Sequence, residues 1–410
     1  MTCNGAGNGT ITITSPSGGY GTYEYSVNAG GSWQSGNTFS NLSPGTYNVQ
    51  IRDAAQITCV VVINPALSIT EPSALSANVA TTNVTCFGAN DGTITISSPS
   101  GGYGTYQYSV NGGTTWQGFG NFTNLAPGNY DVRIRDASNP TCIVTLNAVT
   151  ITQPSVLNAV IGSTDVSCFG GNDGTITITG ASGGYGTYDY SINGGGSWQA
   201  SGNFTGLIQG SYNILIRDAS HAGCIIVLNS NYLIRQPGLL SASVSKTEVS
   251  CNGNNDGTIS ITSPSGGNGT YEFSINGGTN WQTSGLFTGL APGTYDVRIR
   301  DAAHPVCTSI LYPNLVITEP LPLTMWTTGD VTLNCYGDLT GTGTFYASGG
   351  TMPYTFIVVS NSTGGTIAAP GFNSQTFFNA GAGNVTVHVI DAAMCSAEAT
   401  INGNHPAQLA

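Results

Sequence analysis

Cys86-Phe87-Gly88-Ala89-Asn90-Asp91-Gly92-Thr93-Ile94 returns as Cys168-Phe169-Gly170-Gly171-Asn172-Asp173-Gly174-Thr175-Ile176, and this echo decides the fold. The stretch comes again from Cys251 to Ile259 and, more loosely, from Cys3 to Ile11. A second block, Gly128-Asn129-Tyr130-Asp131-Val132-Arg133-Ile134-Arg135-Asp136-Ala137, recurs at 45–54, 210–219 and 293–302. A divergent fifth copy begins near Leu321. It keeps Cys335, Gly349-Gly350, Asp391-Ala392 and Cys395 but loses the Gly-Thr-Tyr and Trp-Gln signatures. Successive first cysteines stand 83, 82, 83 and 84 residues apart. The chain therefore reads as five repeats at 1–72 (truncated at its N-terminus), 73–154, 155–237, 238–320 and 321–410.

Within one copy the alternation of side chains gives the strands. In Thr93-Ile94-Thr95-Ile96-Ser97 the isoleucines take one face and the hydroxyls the other. Ser98-Pro99-Ser100-Gly101-Gly102 breaks that strand, and Tyr106, Tyr108 and Val110 share a face of the next. Gly112-Gly113 turns the chain, Trp116 and Phe122 mark one or two short strands, and Tyr130, Val132 and Ile134 point inward after the Ala126-Pro127-Gly128 turn. A last strand runs through Cys142-Ile143-Val144. With about seven strands per copy and no helical period, the fold class is all-β: tandem immunoglobulin-like antiparallel sandwiches. Tyr130 holds the place of a tyrosine corner. Short joints at Glu71-Pro72, Gln153-Pro154, Gln236-Pro237 and Glu319-Pro320 predict limited bending, hence a stiff rod of about 150–200 Å.

The ten cysteines keep the same beat: Cys3 and Cys59, Cys86 and Cys142, Cys168 and Cys224, and Cys251 and Cys307 are each 56 apart, Cys335 and Cys395 60 apart. Two cysteines per copy at a fixed spacing predict one disulfide inside each repeat. The chain-entropy model values such a loop at about 4 kcal/mol. Reduced buried thiols and zinc are the alternatives, zinc lacking any Cys-x-x-Cys pair or regular histidine. Disulfides would place the chain outside the cytoplasm.

Composition narrows the partners. Charged residues are 7% of the chain, Asp and Glu outnumber Lys and Arg by 20 to 8, and Lys246 is the sole lysine. Nucleic acid and anionic membranes, which require clustered cations, are excluded. No apolar run approaches a membrane span, so this segment does not insert. Met1-Thr2-Cys3 leads straight into a repeat without a signal sequence, and Pro406-Ala407-Gln408-Leu409-Ala410 looks like the start of another unit. The expectation is a piece of a longer secreted chain.

The candidate sites are few. Asn90-Asp91-Gly92 and its copies read as a turn using Asn and Gly at positive φ. Calcium is the alternative, but each loop offers one carboxylate and the first copy has Asn8 instead. Arg135-Asp136, with Arg52-Asp53, Arg217-Asp218 and Arg300-Asp301, place adjacent side chains on opposite faces, and the Asp reads as a cap on the loop before the second cysteine. Trp33, Trp116, Trp198 and Trp281, with Tyr20, Tyr103 and Tyr185 in the Gly-Gly loop, are the candidates for ligand contact, because aromatic faces stack on sugars. Against that, the tryptophans could fill the core or cover its open end, and Asn268 replaces the tyrosine in the fourth copy. No Ser/His/Asp grouping, paired carboxylates or phosphate loop is present, so the chain is not read as an enzyme and no cofactor is expected.

Cys-x-Gly, Gly-Thr-Ile, Ser-Gly-Gly, Gly-x-Tyr-x-Val-x-Ile-x-Asp-Ala, a Cys and a closing Ile-Thr-Glu-Pro together resemble the SprB repeat of very large Bacteroidetes surface adhesins, including gliding-motility adhesins. The resemblance extends over all five copies. The fifth, with Gly349-Gly350-Thr351-Met352-Pro353-Tyr354, is nearer the family form than the Gly-Tyr-Gly-Thr-Tyr of the first three. It implies type IX secretion, display on the bacterial cell surface and a role in adhesion, with no catalytic residues. The resulting expectation is a stalk segment of a giant adhesin, partnered by neighbouring repeats of the same longer chain. The alternatives are a polysaccharide-binding array and a subunit of a self-assembling extracellular filament.

Overall fold

The computed structural model describes residues 1–328 and 331–408; Leu409 and Ala410, the end of the tail read above as a new unit, lie outside them. By internal contacts the chain forms two compact units. One comprises Met1–Gly162, Thr177–Gly202 and Tyr212–Tyr232, the other Ser163–Ile176, Asn203–Ser211 and Leu233–Ala410. All regular structure among the described residues is β, and no helix is long and apolar enough to cross a membrane.

The second repeat shows the pattern. Ser76–Thr82, Gly92–Ser100 and Asn121–Leu125 form one sheet with Gly92–Ser100 in the middle. Tyr106–Ser109, Gly128–Asp136 and Ile143–Ile151 form the other, with Gly128–Asp136 in the middle. Neighbouring strands run antiparallel in both. Ile94 and Ile96 from the first sheet meet Tyr108, Val132, Ile134 and Ile151 from the second. Period-two alternation thus sends one side-chain row into a shared core, each buried isoleucine worth about 1.5–3 kcal/mol. The count is six strands, one fewer than the sequence suggested. Trp116 sits in a loop tied to the sheet by an isolated bridge between Tyr108 and Gln117. The tyrosine corner is present: the Tyr130 hydroxyl donates to the Ala126 carbonyl at 2.8 Å, as Tyr47 does to Ser43 and Tyr295 to Ala291, both at 2.7 Å.

The same succession of strands runs from Asn158–Thr164 to Ile225–Ile234 and from Gly238–Thr247 to Thr308–Ile317. In the first repeat Gly9–Thr12 pairs only with Thr38–Leu42. The fifth has two four-stranded sheets around Phe345, Phe377, Val385 and Val387, and its Val331–Thr332 runs parallel to Ser396–Asn404.

The cysteines pair differently from the expectation. Cys3 is bonded to Cys142, Cys86 to Cys224, Cys168 to Cys307 and Cys251 to Cys395, so each bridge joins the first cysteine of one repeat to the second of the next. Cys59 and Cys335, which the sequence reading placed in disulfides, are unpaired and exposed. The reason is strand length. Cys86 precedes the nine-residue strand Gly92–Ser100, whereas Cys142 lies beside the loop that follows it, where the Gly102 N–H bonds Ser73 and Asp136 anchors Tyr103. Nine residues of strand span about 30 Å, and a disulfide tolerates a Cα separation of at most about 7 Å. The two cysteines of one repeat sit at opposite ends of its sandwich.

A second correction concerns Asn90-Asp91-Gly92. None of the three has positive φ; that conformation falls on Gly88, at +74°. Gly92 is required for another reason: a Cβ there would stand 2.8 Å from Ile151 Cγ2 and 2.9 Å from the Leu125 carbonyl oxygen.

Candidate functional site: the joints between repeats

All four bridges, with Tyr103 and Tyr185 among the candidate ligand residues, lie at the joints, Cys3–Cys142 and Cys86–Cys224 within the first unit, the other two within the second. Each joint is built from a cysteine loop below and a Gly-Gly loop above. The cysteine loop is closed by its own repeat. The Thr85 N–H donates to Asp91 Oδ1 at 2.9 Å and its hydroxyl to Asp91 Oδ2; Ser167 and Asp173, and Ser250 and Asp256, repeat this. Hydroxyl and N–H donation hold Asp91, Asp173 and Asp256 below the usual carboxylate range. In the first repeat Asn8 makes the equivalent pair of bonds to Thr2. The carboxylates proposed for calcium are thus engaged within the loop, and among the described residues no group of three His, Cys, Asp or Glu could hold a metal.

The Glu-Pro and Gln-Pro joints have a part the sequence reading missed. Glu71 accepts the Gly5 N–H at 2.5 Å, Gln153 the Gly88 N–H at 2.9 Å, Gln236 the Gly170 N–H at 2.8 Å and Glu319 the Gly253 N–H at 2.6 Å. The residue before each proline therefore pins the cysteine loop of its own repeat against the exit of the chain. The shared position of these side chains, 66 residues after their glycine in three of four cases, was the available signal.

Above each joint stands the capping aspartate. Asp136 is fully buried; its Oδ2 accepts the Tyr103 N–H, and its Oδ1 accepts those of Ser138 at 2.8 Å and Asn139 at 3.2 Å. The Asp therefore caps the loop before the second cysteine, as read from sequence. In Asp53 the Tyr20 N–H is the main influence lowering the pKa. In Asp301 burial acts upward but is outweighed by donors from Asn268, Ala303 and His304. A Cβ on Gly102 would fall 2.5 Å from Asp136 Oδ2, and one on Gly101 2.0 Å from the Ala74 carbonyl, so this crossing admits only glycine. The slot holding Gln56, Asn139, His221 or His304 contributes its carbonyl to the second cysteine's N–H at 2.8–2.9 Å, which explains its indifference to side chain.

The aromatic candidates separate into two groups. All four tryptophans are half-buried, and Trp33, Trp116 and Trp281 lie outside the core clusters of their repeats. Arg52, Arg135, Arg217 and Arg300 lie over Trp33, Trp116, Trp198 and Trp281 at 4.4–4.6 Å from the ring centroid. Each Arg is held by the opposite strand: Arg52 by Glu24 at 2.6 Å, Arg135 by Gln107 at 2.7 Å, Arg217 by Asp189 at 2.8 Å and Arg300 by Glu272 at 2.6 Å. One face of every ring is already taken by a guanidinium. The loop tyrosines are more exposed, but they face the joint: Tyr103 donates to the Met1 carbonyl and Tyr185 to the Val84 carbonyl, each two residues before a bridged cysteine. Asn268, in the same place, bonds Asp301 and His304 instead.

The arrangement is an array of immunoglobulin-like sandwiches laced by a disulfide at every joint, the build of an extracellular, adhesin-like repeat protein. The SprB-repeat family model matches residues 1–32, 78–115, 162–197 and 243–280, so the chain carries four SprB repeats. The fifth copy lies outside those matches. No curated protein sequence matches the chain. Among solved structures it is similar to three N-terminal domains of the bacteriophage RB49 outer capsid protein Hoc, at 11% identity over 62% of this chain and all of that one, TM-score 0.32. It is also similar to the bacterial integrin-binding protein invasin, at 12% identity over 80% of each chain, TM-score 0.28. The eight N-terminal immunoglobulin domains of Down syndrome cell adhesion molecule share 12% identity over 97% of this chain and 58% of theirs, TM-score 0.24.

Proposed function

We propose that the chain is a stalk segment of a large secreted bacterial surface adhesin, which holds a distal binding region away from the cell and transmits load in adhesion and gliding. The observation that carries this is the lacing: four disulfides each tie one repeat to its neighbour, so pulling on the chain loads covalent bonds across every joint. The type IX route and a Bacteroidetes source rest on the family resemblance alone.

Antibody to the purified chain should label intact cells of the producing bacterium. In-frame removal of two repeats should shorten the surface fibre and weaken attachment while the fibre is still displayed. Labelling only after permeabilisation would overturn the reading. A polysaccharide array is the weaker reading, because the arginines cover one face of each of the four tryptophans and Tyr103 and Tyr185 bond across the joints.

A further inference from the structure

In the second, third and fourth repeats the strand that follows the second cysteine is the edge of its sheet. Ile143–Ile151 pairs with Gly128–Asp136 on one side only. Its far end is closed by its own repeat: the Val84 N–H donates to the Thr152 carbonyl at 3.2 Å, and the Thr152 N–H to Asn83 at 2.8 Å. Its near end is open. The Asp136 N–H bonds the Cys142 carbonyl at 3.2 Å, and the register sets Ile134 opposite Val144. Antiparallel alternation then turns the N–H and C=O of Val144 inward and those of Ile143 and Thr145 outward. The third repeat starts this strand the same way, with Asp218 bonding Cys224 at 3.0 Å, and the fourth with Asp301 bonding Cys307 at 3.0 Å. Ile225, Val227, Thr308 and Ile310 therefore face out as well. Among the described residues no hydrogen bond reaches these outward groups.

These open ends are apolar and unguarded. Ile143, Ile225, Val227 and Ile310 are 44–55% exposed, and none of residues 143–146, 225–228 and 308–311 is charged. Soluble proteins ordinarily protect such an edge with a charge or a proline, and Ile143–Ile151 and Ile225–Ile234 contain neither. Each strand follows a cysteine already bridged to the repeat before it, so its exposure is that of a closed joint.

We propose that these edges pair side by side with the same edges of a second copy of the chain, so that stalks bundle laterally. Four residues of edge form a strip about 13 Å long and about 10 Å deep, roughly 130 Å² on each partner. That lies far below the roughly 1,000 Å² that a stable interface buries. A partner meeting one strip falls away. Another copy presents its strips at the same intervals, 82 residues from Ile143 to Ile225 and 83 from there to Thr308, and several weak contacts made together hold where one does not. Charge sets the condition. The chain carries a net charge of −12, so copies repel at low salt, and the uncharged strips are where they can approach. Pairing gives the outward N–H and C=O groups of Ile143, Thr145 and their counterparts hydrogen-bond partners and covers their side chains. It concerns the flanks of the repeats and goes beyond the stalk reading, which rests on the joints.

The test is analytical ultracentrifugation of the whole oxidised chain, Cys59 and Cys335 alkylated, across concentration and salt, with hydrogen exchange on the same samples. Association should strengthen as salt screens the charge, and amides in 143–146, 225–228 and 308–311 should gain protection with it. Thr145→Lys, Val227→Lys and Ile310→Lys together should raise the concentration for half-association about tenfold, because like charges then meet across the paired edges. Thr123→Lys, Thr205→Lys and Thr288→Lys, exposed on the outer strand of the opposite sheet, add the same charge and should not weaken association. A chain that stays monomeric at every salt concentration, both lysine sets weakening association equally, or protection falling outside the three strips would overturn the pairing and leave the stalk reading untouched.

Discussion

Stretching the oxidised chain from its termini tests the lacing directly. The shortest covalent route runs from Met1 to Cys3, crosses to Cys142, continues to Cys168, crosses to Cys307, returns to Cys251, crosses to Cys395 and ends at Ala410. That route contains about 99 residues of backbone, which at about 3.5 Å each reach about 350 Å. Complete reduction releases the whole chain, about 1,400 Å by the same rule. Pairing inside each repeat would instead leave a route of about 125 residues, about 440 Å. Cys59→Ser separates the two schemes more sharply. It removes no bond in the laced chain, so the limit stays at about 350 Å; with internal pairing it would free a 56-residue loop and raise the limit to about 630 Å. The assay is single-molecule force spectroscopy on chains tethered at both ends, with and without reductant. A Cys59→Ser chain that lengthens by about 200 Å would refute the lacing and the mechanical role built on it.

Other consequences are quicker to check. Asp91, Asp173 and Asp256 have folded pKa values below the ordinary one, so their contribution is complete above about pH 4 and is lost as pH falls through the folded values. The triple Asp→Asn variant, which gives each loop the amide that Asn8 supplies in the first repeat, should melt with a flatter acid limb; an unchanged limb would contradict that assignment. Gly92→Ala should cost about 1–3 kcal/mol in denaturant unfolding, because its Cβ meets Ile151 and the Leu125 carbonyl; a neutral result would mean the strand can shift aside. Titration with polysaccharides should leave tryptophan fluorescence unchanged, since Arg52, Arg135, Arg217 and Arg300 already cover the rings; a saturable change that Trp116→Leu diminishes would revive the binding array. EDTA should leave the melting temperature unmoved, and a fall restored by calcium would return Asp91 and its copies to metal binding.

The sandwich was legible because it is written locally and repeatedly. Ile94 and Ile96 alternate with hydroxyls, Tyr130 follows a Pro-Gly turn, and Asp136 sits where a loop needs a cap, each a relation among residues close in sequence. The tryptophans were harder. An aromatic residue at a constant period suggests either a core or a platform, and which one obtains depends on Arg135 reaching back across a strand pair to lie over Trp116. Nothing in the spacing of the two residues announces that contact.

The disulfides illustrate how a strict period can hide an answer. When every repeat has the same length, a constant spacing of 56 within repeats entails an almost constant spacing between one repeat's first cysteine and the next one's second, here 138, 139 and 144. Periodicity is therefore silent on which pairing occurs. Geometry is not: a nine-residue strand beginning just after Cys86 carries the chain about 30 Å before it turns, and the loop it enters is the one that shelters Cys142. Two cysteines at opposite ends of a sandwich can bond only to neighbours, so each repeat offers one thiol below and one above. Cys59 and Cys335 are then the upper thiol of the first repeat and the lower thiol of the fifth, and none of the four bridges engages them.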